Sequence, residues 1–96
     1  DYTTAKSALI GLTRNLASEL GQYGIRVNLL AGGLLKTTDA SSLTTEEVFD
    51  YIATTTPLRQ ATSVADFASS VLLMASDLSM AITGQSIAVD GGLTMP

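Results

Sequence analysis

The chain contains no cysteine and no histidine. Without cysteine there can be no disulfide scaffold and no thiolate metal site, and the redox compartment is left open. Without histidine the commonest metal ligand and the commonest general base are both missing. A Ser-His-Asp hydrolase or a zinc hydrolase therefore cannot be built, and no metal site is expected. No apolar run approaches the ~20 residues of a membrane-spanning helix, and the start has neither the basic nor the apolar region of a signal peptide. Positive charge is also scarce: five Lys and Arg stand against nine Asp and Glu, a formal charge of −4, with a pI near 4.3. That balance argues against nucleic acid and anionic membranes as partners. The expectation is a soluble, cytoplasmic protein.

What is present is apolar. Ninety-six residues make at most one small domain, yet 46% of them are hydrophobic and only 15% charged, with a mean hydropathy of +0.33. So short a chain buries only a modest core. Either it packs unusually well or part of its apolar face is meant for something else.

The pattern along the chain is α/β. Ala5, Leu9, Leu12, Leu16 and Leu20 recur at three- and four-residue steps, with Ala8, Ile10 and Ala17 beside them. This predicts an amphipathic helix from about Tyr2 to Gln22, its stripe wide enough for two neighbours. Gly21 and Gly24 offer the stop, Gly24 being the better left-handed cap. Ile25 to Leu30 is short, mostly apolar and partly β-branched, as a strand in a covered parallel sheet would be. Ala31-Gly32-Gly33 breaks the regularity, and 34 to 43 reads as loop. Thr44 and Glu47 form a capping box for a short helix through Val48, Phe49 and Ile52 that must end before Pro57. Ser63 to Asp66 resembles a second capped start, for a helix burying Val64, Phe67, Ala68, Val71, Leu72 and Ala75. Gln85 to Val89 reads as a last strand, closed by Asp90-Gly91-Gly92. Two strands joined through helices are most simply parallel with a right-handed crossover. There is no internal repeat or linker, and a two-stranded parallel sheet wants more strands.

The first helix carries the sharpest chemical signal. Tyr2 and Lys6 are four residues apart, one turn from each other on one face. A nearby ammonium and a helix N-terminus each favour the phenolate, lowering the tyrosine's pKa from its usual ~10. A phenol tuned in this way can donate or accept a proton near neutral pH.

Read together, the motifs resemble the C-terminal part of a short-chain dehydrogenase/reductase, close to the 3-oxoacyl-[acyl-carrier-protein] reductases. The matching pieces are Tyr2-x-x-x-Lys6 with Ser7-Ala8-Leu9, Gly24-Ile25-Arg26-Val27-Asn28, Ala31-Gly32-Gly33 with Thr37, and Pro57-Leu58. Residues 71 to 76, Ile82-Thr83-Gly84-Gln85 and Val89-Asp90-Gly91-Gly92 complete the set, in the family's order and spacing over essentially the whole chain.

The resemblance implies the C-terminal portion of a Rossmann-like doubly wound parallel sheet and an NADP(H)- or NAD(H)-dependent enzyme reducing a carbonyl, such as a 3-oxoacyl thioester. Tyr2 would donate the proton. Lys6 would lower the tyrosine's pKa and hold the nicotinamide ribose hydroxyls. The turn after the first strand, Gly32 and Gly33 included, would meet the cofactor, with the Leu35 backbone on the carboxamide and the Thr37 hydroxyl on the carboxamide or pyrophosphate. Residues 38 to 56 would form a mobile substrate lid, and a homodimer or homotetramer would form through the first helix and the last strand. Gly32 departs from the proline usual in the family, and Arg59 to Thr62 replace its usual glycine-containing segment. The glycine-rich phosphate loop and the catalytic serine and asparagine have no counterpart here. The chain is thus expected to be a C-terminal fragment, 1–96, of one such domain. Two alternatives stand beside the carbonyl reductase: an enoyl-thioester reductase of the same family, and an inert, self-associating structural module.

Overall fold

A computed structural model describes residues 1–33, 35, 36 and 46–95, without the side chain of Tyr2. The order is α1 (Tyr2–Leu20), β1 (Leu29–Ala31), α2 (Glu46–Thr55), α3 (Val64–Ala75) and β2 (Ser86–Ala88), with single 3-10 turns after α1 and α3. The order read from the sequence, helix, strand, two helices, strand, is the one observed. The chain divides into two compact units, Asp1–Leu30 with Leu73–Ile87 and Ala31–Leu72 with Ala88–Pro96.

In the first unit, α1 starts where a cap allows it: the Asp1 carboxylate accepts the Thr4 N–H at 2.9 Å, satisfying one of the orphan donors of the first turn. The 3-10 turn Gly21–Tyr23 then closes on Gly24, which takes the left-handed conformation (φ 76). The helix does not bury its whole stripe. Ala17 (8% exposed) and Thr13 are buried, whereas Leu9 and Leu12 are exposed. The Thr13 hydroxyl survives burial by donating to the Leu9 carbonyl at 2.8 Å.

β1 and β2 form a two-stranded sheet. In the first unit the Gly84 N–H donates to Val27 at 2.8 Å and the Leu29 N–H to Gln85 at 2.9 Å; in the second the Val89 N–H donates to Ala31 at 2.8 Å. Partners advance along both strands together, so the pairing is parallel. The strand expected over 25–30 is corrected to Leu29–Ala31. Side chains replace ladder partners ahead of it: Thr83 Oγ1 takes the Val27 N–H at 3.0 Å. The Asn28 amide donates to Ile82 at 2.9 Å and accepts the Gln85 N–H at 3.1 Å.

In the second unit Phe49 (4% exposed) and Thr56 are the buried centre. α2 ends before Pro57 as expected; the Thr44 cap lies outside the described residues. α3 starts on a reciprocal capping box: the Asp66 N–H donates to Ser63 Oγ at 3.0 Å and the Ser63 N–H to Asp66 Oδ2 at 3.0 Å. Its predicted buried side is not buried. Only Phe67 is half-covered; Ala68 and Ala75 are exposed, as are Val64, Val71 and Leu72, the last at 72%. The helical period that grouped these residues reports a common face, and among the described residues no layer covers that face.

Candidate functional site

The candidate residues fall into two groups, each within one unit. The first is at the start of α1. The Asp1 cap fixes the first turn, which places Tyr2 and Lys6 one turn apart on one helix face. The positive end of the helix dipole is there as well, and the first turn of α1 proper holds no acidic residue. Lys6 is exposed, and among the described residues no carboxylate pairs with it. The position of the Tyr2 hydroxyl lies outside the described residues.

The second group is the turn leaving β1. Gly33 has φ 62, in the left-handed region, and among the described residues nothing lies within 4 Å of a Cβ built there. A side chain is disfavoured at that position, and a ligand could approach the bare backbone closely. Gly32 is glycine for a different reason: a Cβ there would lie 2.9 Å from Cδ2 of Phe67 and 3.1 Å from Cδ2 of Leu35. A side chain there would require the Phe67 ring and the Leu35 side chain to shift. Leu35 is half-buried. Thr37 lies outside the described residues, as do 38 to 45 of the expected lid.

Lys36 closes this turn. Its N–H donates to the Thr62 carbonyl at 2.9 Å, and it forms a parallel bridge with Ser63. Its ammonium reaches Glu46 in the first turn of α2 at 3.1 Å and stands 5.7 Å from the centre of the Phe49 ring. The sequence points to neither Lys36 nor Phe67 as a site residue; Phe67 reads there only as part of a buried helix face. A lysine in a polar loop and a phenylalanine in a helical stripe carry no sign of what they touch.

Two carboxylates are held below the ordinary carboxylate range. Asp66 is lowered first by the backbone N–H of Ser63 and then by its side chain. Asp90 is lowered first by the Thr94 hydroxyl, which donates at 2.7 Å, against a smaller opposing effect of burial and with backbone help from Gly92, Thr94 and Leu93. Both are turn and cap residues, not reacting groups. The second unit also has an open hollow of about 280 Å³ beside Leu58, Thr62, Asp66 and Ser70. None of the candidate residues lines it. Among the described residues no cluster of acidic side chains could hold a metal ion, and no helix is long and apolar enough to cross a membrane.

Comparison with known proteins decides the family. The family model described as enoyl-(acyl carrier protein) reductase matches residues 1–94. The chain belongs to that family, within the short-chain dehydrogenases/reductases. It is 37% identical over 95 residues to the 3-oxoacyl-[acyl-carrier-protein] reductase FabG of Staphylococcus aureus, a match covering 99% of this chain and 38% of that protein. The oxidoreductase UcpA of Salmonella typhimurium is 35% identical over 102 residues, covering 99% of this chain and 39% of that protein. The crystal structure of 3-oxoacyl-[acyl-carrier protein] reductase from Brucella melitensis superposes with a TM-score of 0.85 at 39% identity, over 99% of this chain and 35% of that one. The fold is therefore part of a Rossmann-like parallel α/β sheet, and the chain spans little more than a third of the length of these relatives.

Proposed function

We propose that these 96 residues are the C-terminal part of one Rossmann-type domain in a cytoplasmic, homo-oligomeric NAD(P)H-dependent reductase acting on a 3-oxoacyl thioester or similar carbonyl. The observation that carries this is the Tyr2–Lys6 pair at a capped, dipole-positive helix start, in a chain whose relatives are named as reductases. The share of the relatives that is matched supports a larger domain, in whose remaining part the phosphate-binding loop would lie.

The residues present fit a nicotinamide cofactor. Gly33 leaves bare backbone, with nothing among the described residues within 4 Å of its Cβ position, at the carboxyl end of a parallel strand, the end at which such sheets take ligands. The Leu35 backbone would hold the carboxamide, the Thr37 hydroxyl the carboxamide or pyrophosphate, and Lys6 the ribose hydroxyls. When bound, the cofactor supplies the hydride that attacks the carbonyl carbon. Tyr2 gives its hydroxyl proton to the carbonyl oxygen, so the product is the alcohol. The Lys6 ammonium and the start of α1 stabilise the phenolate left behind, and solvent returns the proton. Removing only the proton donor tests this. Tyr2→Phe in the full-length protein should lower kcat for carbonyl reduction by about 10²–10⁴, while nucleotide affinity stays near wild type. Full activity in that variant would mean another group supplies the proton.

The description of the matched family favours a second reading, reduction of an enoyl thioester. Assay of 3-oxoacyl and 2-enoyl thioesters side by side with the same nucleotide separates the two: the preferred substrate is the one with the higher kcat/KM.

A further inference from the structure

We infer that Phe67, on α3, is the positioning residue of the turn after β1 and sets its affinity for nucleotide. The inference rests on the nicotinamide reading above and adds to it a residue with no proposed contact to cofactor or substrate. The turn is held at both ends by the start of α3. At one end the edge of the Phe67 ring lies where a Gly32 side chain would be, with Cδ2 at 2.9 Å and Cε2 at 3.0 Å from the Cβ position. At the other, the Lys36 N–H donates to Thr62 at 2.9 Å and Lys36 bridges Ser63. Ser63 is in turn fixed by its reciprocal hydrogen bonds with Asp66, one residue before Phe67.

Between these clamps stands Gly33, held at φ 62, a residue that without a Cβ has the most conformational freedom to lose. A flexible turn must be ordered on binding and weakens affinity by that cost. A turn already ordered by a flat ring does not. Glycine at 32 and phenylalanine at 67 are then one device: the ring reaches the backbone only because no Cβ intervenes.

The test uses the full-length protein with Phe67→Leu, Gly32→Ala and the double variant, titrated with NADPH and NADH and followed by amide hydrogen exchange across 31–36. Residues in contact couple, so the expected result is non-additive. F67L should raise the dissociation constant roughly tenfold with kcat at saturation little changed, and speed exchange in the turn. G32A should weaken binding about tenfold alone but less than about threefold in the F67L background, where the ring's space is free. Phe67→Met, which keeps the bulk but not the flat ring, serves as the second variant if F67L unfolds, with the same increase expected. Additive effects, or affinity unchanged while exchange quickens, would overturn the inference by leaving Phe67 a packing residue alone. Wild-type protein that binds neither nucleotide would overturn the function reading instead, and exchange in the three variants would still decide whether the ring orders the turn.

Discussion

The guanidinium of Arg26 donates from one nitrogen to both the carbonyl and the hydroxyl of Ser79, at 2.8 and 3.1 Å. The same group reaches Ile82 at 3.2 Å, and its other nitrogen reaches Met74 and Ser76 at 2.9 and 3.1 Å. The end of α3 and the 3-10 turn after it leave carbonyl lone pairs without helical partners. Ser76 and Ser79 accept the Ser79 and Ile82 N–H groups, and one planar cation supplies further donors to them and to Met74 and Ile82. Ser79, buried to 3% exposure, completes the cluster by donating to Leu73 and Met74 at 2.9 Å each. Arg26→Lys should therefore not rescue Arg26→Ala, because an ammonium cannot present the same fork. Each variant is expected to lose about 3 kcal/mol in urea denaturation of the full-length protein. A loss below about 1 kcal/mol for R26A would mean water replaces the guanidinium.

Gly92 should be the least replaceable residue of the closing turn. It has φ 90, and a Cβ there would lie 2.9 Å from the Pro57 ring. Conformational strain and overlap add, so Gly92→Ala should cost about 2–4 kcal/mol. Gly33→Ala, with the same handedness and no overlap among the described residues, should cost only the strain, about 1–2 kcal/mol. Equal losses in the two variants would show that the Pro57 contact relaxes freely.

Asp66 and Asp90 make the fold sensitive to acid. Both are held below their ordinary value of 3.8 by hydrogen bonds to the charged form. A lowered folded-state value means that the contribution is fully present above the unfolded value and is lost as pH falls through the folded ones. The melting temperature should therefore be level from about pH 7 to 5 and fall below about pH 4. Paired Asp66→Asn and Asp90→Asn substitutions should flatten that fall. An unchanged acid slope in the double variant would assign it to other carboxylates.

The exposed apolar surface predicts association of the 96-residue chain. Leu9 and Leu12 are 47% and 52% exposed on α1, a stripe that water disfavours. Sedimentation should show dimers or larger species, and Leu12→Glu should shift them toward monomer. A wild-type monomer at high concentration would count against α1 as an interface.

The sequence disclosed the elements better than their cover. α1 and α2 were legible from their period and their stops, and α3 because period and cap agree: Ser63 and Asp66 could be paired from their spacing alone. The parallel pairing followed from connectivity. What periodicity could not report is whether an apolar face has a neighbour, so Val71 and Leu72 read as core and are exposed. The strand start at 25 was misplaced because Val27 and Asn28 are tied to 82–85 partly through side chains, which no β-propensity describes. Of the candidate site, the Tyr2–Lys6 spacing and the glycine pair could be read directly. Phe67 could not, since only three-dimensional proximity shows that Gly32 is small on its behalf.

The grip of Arg26 on Ser79 joins residues separated by 53 positions. A ribosome adding ~5–20 residues per second leaves that cation waiting on the order of seconds for its acceptors. Until translation passes Leu73 the guanidinium has none of its acceptors yet synthesised. The first unit therefore matures late, after translation has passed Ile82, and a nascent chain stalled before that point should be a client for chaperones.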